Sequence, residues 1–307
     1  MPEKPAARTV SPALYTALAL LFALLWASAF MGVKVGLRNS PPLFLMGFRF
    51  LIAGTVLLVY ARVRGSLLPD AWRGWARLGA LGLLNQAAYL GLSAIAMRHL
   101  SGGMAAVLAS TNPLMLALVA PALLGERLTA RRMAGLGVAF LSVVWIMYSR
   151  ASTADAPGSM VLILLANALM VTGTVLFKRW APAHDLVVIN GIQLITASFV
   201  LLIPSLLFEP VSTVRWNVEF LGAIGFLAFG VSCGAMLIWF FLLRSGEAAR
   251  ASAFLFLNPV LGLFLGRLLL GEPLRPLDFL GSAGVGLGIY LVQAQSSSVT
   301  RPARQFP

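Results

Sequence analysis

Acidic side chains are scarce in this chain, ten Asp and Glu against 23 Lys and Arg over 307 residues. They are Glu3, Asp70, Glu126, Asp155, Asp185, Glu209, Glu219, Glu247, Glu272 and Asp278, and none falls inside a long apolar run. The two histidines, His99 and His184, also stand at the ends of such runs. A buried acid pair or a carboxylate–histidine proton relay is therefore not expected. Cys233 is the single cysteine, which excludes an intrachain disulfide, and no histidine stands near it in sequence to activate it as a nucleophile. There is no His-Glu-x-x-His, and no Gly-Lys pair occurs anywhere, so a zinc protease and a P-loop are excluded. An enzyme is not expected, nor is a metal or a cofactor.

Charge of any sign is also rare: 11% of residues are charged, 59% are apolar, and the mean hydropathy is +0.89. Uncharged runs cover Thr9–Val33, Leu78–Met97, Leu100–Gly125, Met133–Ser149, Ala156–Phe177, Leu186–Phe208, Phe220–Leu243 and Phe279–Thr300. Two more, Pro41–Ala61 and Ala251–Gly271, hold one interior charge each, Arg49 and Arg267. Most exceed the roughly 18 to 20 residues that cross a bilayer as a helix. Strict two-residue alternation is missing, which argues against a transmembrane barrel. The expected fold is thus an all-α membrane protein with ten transmembrane helices. The first run passes through Lys34 without a small-residue cleavage pattern and is expected to stay in the mature protein.

A net charge of +13 raises the question of a nucleic-acid partner, but the cations alternate between loops. With the N-terminus inside, fifteen fall on the inner side, among them Arg62, Arg64, Arg73, Arg77, Arg131, Arg132, Lys178 and Arg250. Six fall outside, and Lys34 and Arg49 lie within spans. This bias predicts a multi-pass protein of the plasma or inner membrane with both termini cytoplasmic. Its partners are then the lipid bilayer and a small-molecule substrate; no nucleic acid and no obligate protein partner is expected.

Shifting the chain by 146 residues places Asn112-Pro113 on Asn258-Pro259, Gly125-Glu126 on Gly271-Glu272, and Gly135 on Gly281. With slightly different shifts, FLMGFRFLIA at 44–53 lies on VVINGIQLIT at 187–196, and WASAFMG at 26–32 on NALMVTG at 167–173. The halves are residues 1–150 and 151–307, five spans each. An odd number of spans forces the second copy to enter from the other side, which predicts two inverted five-helix repeats around a central cavity.

Proline lacks an N–H, so Pro113 and Pro259 are expected to free the carbonyls of Ala109 and Leu255 and to kink the helices for gating. Asn112 and Asn258 either cover such carbonyls or present themselves to a ligand. Residues three, four and seven apart share a helix face, which groups Gln86, Tyr89 and Ser93, with Asn85 beside them. The 146 shift pairs these with Ser232, Ala235 and Trp239. Trp26 with Phe30, and Asn167 with Thr174, form comparable faces in the first and sixth spans. The expected substrate-binding set is accordingly Trp26, Phe30, Arg49, Asn85, Gln86, Tyr89, Ser93, Asn112, Asn167, Ser232, Trp239 and Asn258. The polar members could instead tie neighbouring helices together. Arg49, well inside its span, either receives an anionic substrate group or donates to helix carbonyls. Gly262 with Gly266, and Gly284 with Gly288, sit four apart, a spacing read here as internal packing and not as a dimer interface.

Three features together carry a resemblance: LLWASAFMGVKVGL at 24–37, the arginine of MGFRFLIAG at 46–54, and the twice-repeated Asn-Pro…Gly-Glu. On them the chain resembles the drug/metabolite transporter superfamily, specifically its EamA-type members. That resemblance implies export of small metabolites, amino acids prominent among them, by alternating access and without ATP. Trp26 has Asn167 in the second copy, so an indole role cannot be shared by both halves. The expectation is a facilitative exporter of amino acids, aromatic ones among them, since a zwitterion needs polar and aromatic contacts together. An exporter of other organic solutes or anions, through a basic pocket of Lys34 and Arg49, and a solute channel are the alternatives.

Overall fold

The computed structural model describes residues 11–100, 108–126, 128–148, 156–180, 184–270 and 274–293. Among these every regular element is helical and none is a strand. The helices are α1 (Pro12–Asn39), α2 (Pro42–Val63), α3 (Trp72–Ala96), α4 (Thr111–Leu124), α5 (Ala130–Tyr148), α6 (Pro157–Trp180), α7 (Leu186–Phe208), α8 (Val218–Ser245), α9 (Leu257–Leu270) and α10 (Pro276–Gln293). Ala248–Ser252 and a 3-10 turn, Ala253–Phe256, lead into α9. Among the described residues, seven helical segments are long and apolar enough to cross a membrane: α1, α2, α3, α6, α7, α8 and the run Ala248–Leu265. The turn around Glu272 and both chain ends lie outside the described residues.

Local signals set the ends. Ser11 accepts from the Leu14 N–H at 3.2 Å, Asp185 from Val187 at 3.0 Å, and Asn217 from Phe220 at 2.8 Å, each satisfying a first-turn donor that the helix cannot pair itself. Gly125 closes α4 at φ 66°, a left-handed conformation that a Cβ would strain.

Two helix pairs run antiparallel at close range. In α2 and α7, a Cβ on Gly47 would meet Leu202 at 2.7 Å, one on Gly54 the Ile195 backbone N at 3.0 Å, and one on Gly191 Leu58 at 2.8 Å. In α5 and α10, Gly135 faces the Gly288 carbonyl while Gly284 faces Ser142. Small residues let backbones approach where lipid supplies no hydrophobic drive for helix association. The glycines at 284 and 288 thus serve internal packing.

The Asn-Pro pairs stand where the helices change. α4 begins at Thr111 after a turn at Ser110, and α9 follows directly on the 3-10 segment Ala253–Phe256, so each proline lies in the first turn of an α-helix, where its missing N–H costs least. At the first break, the Thr111 hydroxyl donates to the Leu108 carbonyl at 2.7 Å, and the Asn167 amide donates to the same oxygen at 2.7 Å.

α3 and α8 also depart from a plain α-helix. Leu83–Ala88 and Phe226–Ala235 are π-helical. Each carries an extra residue per turn, which rotates the face downstream relative to the face upstream.

Candidate functional site

Helices α1, α2, α3 and α6, with the approach to α4 and one residue of α8, enclose a cavity of about 50 Å³. Trp26, Ala29, Phe30 and Val33 come from α1, a stripe of helical period that turns one face inward. Met46 and Arg49 come from α2, and Tyr89, Leu90, Ser93, Ala94 and Met97 from α3. Ala109, Ile163, Asn167 and Val231 complete the wall. These positions lie toward the α1 C-terminus and the α2 N-terminus, so the cavity occupies the half of the molecule nearer Asn39 and Asn217.

Six of the expected residues meet there: Trp26, Phe30, Arg49, Tyr89, Ser93 and Asn167. The Trp26 and Tyr89 rings stack with centroids 6.5 Å apart and planes 4° from parallel. Phe22 then packs against Trp26 at 5.5 Å, its plane tilted by 31°, and stacks on Trp239 at 5.2 Å. Trp239 therefore stands behind the wall, joined to it through Phe22, and is not on it. Phe22, four residues before Trp26, was not anticipated, although the i, i+4 spacing marks it. Met46, three residues before Arg49, was signalled in the same way.

Asn85, Gln86, Ser232, Asn112 and Asn258 are buried but are not on this wall. The π-turn at Leu83–Ala88 explains the first two: the 3.6-residue phase that groups Gln86 with Tyr89 and Ser93 does not carry through it. Asn85 turns to α7 and donates to the side-chain amide oxygen Oε1 of Gln193 at 3.4 Å. The Ser232 carbonyl accepts from Asn190 at 2.8 Å. Both contacts brace a π-segment against α7, the tying role open to polar residues in membranes. Gln86 is fully buried, and neither of its amide atoms has a partner among the described residues.

Arg49 is the electrostatic centre. Its residue is 2% exposed, its guanidinium lies over the Phe50 ring at 4.7 Å, and its Nε has no hydrogen-bond partner among the described residues. No carboxylate lines the cavity. A buried cation without a counter-charge is costly, and an anion entering the cavity would relieve that cost. Lys34 is exposed, which corrects the expectation of a basic pocket made with Arg49.

Asn167 offers the complementary group. Its amide nitrogen is taken by Leu108 and Thr111, while Oδ1 has no partner among the described residues. It is a fixed acceptor on a wall whose other non-aromatic polar side chains are Arg49 and Ser93. Among the described residues no group of three His, Cys, Asp or Glu side chains could hold a metal.

At the end remote from the cavity, the two halves are tied by charge. Arg132 pairs with Glu247 at 2.6 Å and Glu126 caps Ala248 and Ala249, while within the second half the Lys178 ammonium donates to the Leu243 carbonyl at 3.0 Å.

The model of the EamA-like transporter family matches residues 14–148 and again 158–294. An uncharacterized transporter of Archaeoglobus fulgidus is 29% identical over 269 residues, covering 87% of this chain and 94% of that one. The uncharacterized transporter YvbV of Bacillus subtilis is 28% identical, covering 94% of each chain. The uncharacterized inner membrane transporter YedA of Escherichia coli is 28% identical, covering 89% of each. A solved crystal structure, 22% identical, superposes with a TM-score of 0.77 over 91% of this chain and 97% of that one, a likeness of fold.

Proposed function

Since this chain belongs to the EamA-like transporter family, we propose that it exports small carboxylate-bearing solutes, amino acids foremost, from the cell by facilitative alternating access. It is a multi-pass membrane protein that transports small solutes. The finer reading rests on one observation, the unpaired guanidinium of Arg49 on the cavity wall. A carboxylate there gains charge-assisted hydrogen bonds from a donor already stripped of water. The Asn167 Oδ1 and the ring faces of Trp26, Phe30 and Tyr89 suit an ammonium group, the first as acceptor and the rings through their quadrupoles. An α-amino acid presents both groups.

Ten crossings arranged as two inverted halves, 1–150 and 151–307, make the machine. Support comes from the antiparallel pairing of α2 with α7 and of α5 with α10, each pair being repeat-related. Further support comes from α4 and α9, 14 residues each, whose ends fall 146 residues apart. The helix restarts at Pro113 and Pro259 would serve as the hinges, with the buried Asn112 and Asn258 beside them. Both termini are proposed to be cytoplasmic, on the basic-loop bias.

The test is counterflow in proteoliposomes loaded with unlabelled amino acids and offered radiolabelled ones. Saturable, stereoselective uptake abolished by Arg49→Gln is expected. Non-saturable flux would favour a channel, and equal flux of decarboxylated amines would sink the carboxylate reading.

A further inference from the structure

We infer that the corner between α2 and α3 is a binding site for the headgroup of an anionic phospholipid. The claim goes beyond the transport reading and is independent of which solute is carried.

The corner is compact. Arg64 caps α2, Gly65 follows at φ 67°, and the Trp75 indole donates back to the Pro69 carbonyl at 2.8 Å. The Ser66 hydroxyl donates to Asp185 at 3.2 Å, tying the turn to the start of α7. On this frame the first turns of α3 bear, in order around the helix, Trp75, Trp72, Ala76, Arg73 and Arg77, all exposed, while Leu78 turns inward. One edge of the exposed arc is indole and the other guanidinium. Trp72 is 75% exposed and Trp75 43%, so both indoles stand on the outer surface of the helix.

Arg62, at the end of α2, adds a third guanidinium beside the same turn. Among the described residues, neither Arg62 nor Arg73 has a hydrogen bond or ion pair, and Asp70, the one carboxylate of the 62–77 stretch, pairs with none of these arginines. Arg77 lies over the Trp180 ring at 5.9 Å, which aims it along the surface.

The occupant follows from where the corner stands. It terminates two helices long and apolar enough to cross a bilayer, so it falls at the headgroup layer of one leaflet. Indoles rest in that layer, with their rings against the acyl boundary and their N–H toward polar groups. Guanidinium groups extend past them to phosphate, which they grip in a planar fork. Unpaired arginines at that depth attract anionic lipid, whereas a zwitterionic headgroup carries a choline cation that they repel.

Native mass spectrometry of the full chain in detergent, offered phosphatidylglycerol and phosphatidylcholine in equal amounts, tests this. The wild type is expected to retain phosphatidylglycerol preferentially. Arg73→Gln with Arg77→Gln should weaken that preference by roughly fivefold per arginine. Arg73→Lys with Arg77→Lys should keep most of it, and Arg215→Gln, at the opposite end, should leave it intact. Equal retention of the two lipids by the wild type, or a preference that survives the Gln pair, overturns the site. Displacement by soluble glycerol phosphate as effective as by lipid would overturn it in favour of a soluble anion.

Discussion

Glu126 accepts the Ala248 backbone N–H at 2.7 Å with one carboxylate oxygen and the Ala249 N–H at 3.2 Å with the other. One side chain of the first half thus caps the chain segment that opens the ninth span of the second, and the Arg132–Glu247 pair clamps the same junction. The cavity lies toward the opposite end, and in the proposed transport cycle these contacts hold this end closed.

Removing the cap should open that closed end. In a Cys233→Ser chain, Ser252→Cys, whose position is fully buried below the cap, is expected to resist a polar maleimide. Adding Glu126→Ala should raise the labelling rate by about tenfold or more, because a pair of bonds to a carboxylate is lost. An unchanged rate would show that Glu126 does not hold the closure.

Arg49→Gln should lower transport efficiency by at least about thirtyfold, the usual scale for losing one partner of a buried charge pair. Thermal stability should hold or rise, since the variant deletes an uncompensated buried charge. A marked fall in melting temperature alongside the loss of transport would instead make Arg49 a structural tie.

Backbone contacts make two glycines intolerant of even a methyl. Gly82→Ala would bring a Cβ to 2.5 Å from the Gln193 carbonyl oxygen, and Gly135→Ala one to 2.7 Å from that of Gly288. Each is expected to destabilise by about 1 to 3 kcal/mol, measured by denaturation of the purified protein. Gly137→Ala, with nothing within 4 Å, should be neutral or stabilising by up to about 1 kcal/mol through helix propensity.

Sidedness tests the inverted arrangement. Cysteines replacing Ala130 and Arg275 stand at the turns before the two repeat-related helices α5 and α10. Impermeant reagent applied to whole cells should label Arg275→Cys, and Ala130→Cys only after permeabilisation. Labelling of both from one side would remove the inverted repeat and alternating access with it.

Half of the expected binding set reached the cavity wall, and the reason separates the cases. In α1 and α2, where the helix is regular, the face argument holds from Trp26 to Phe30 and through Arg49. It fails at Asn85 and Gln86 in α3 and at Ser232 in α8, which lie in π-turns that shift the phase. Nothing in their side chains announces an i→i+5 turn. Similarly, Asn-Pro announces a disturbance, but whether it bends a helix or ends one depends on who receives the freed carbonyls. Here the chain turns at Ser110, ahead of Pro113, and Thr111 and Asn167 donate to the Leu108 carbonyl beside that turn.

Composition alone made this chain a lipid-embedded helical protein, because apolar runs of bilayer length must satisfy their backbone within each run. Short-range chemistry at Asp185, Asn217 and Gly125 likewise marked where helices begin and end. Tertiary structure decided the rest: which side chains share the cavity, that Arg49 has no counter-charge in it, and that Glu126 caps a segment more than a hundred residues away. Those outcomes depend on helix phase and on contacts between distant segments, and periodicity along a single chain specifies neither.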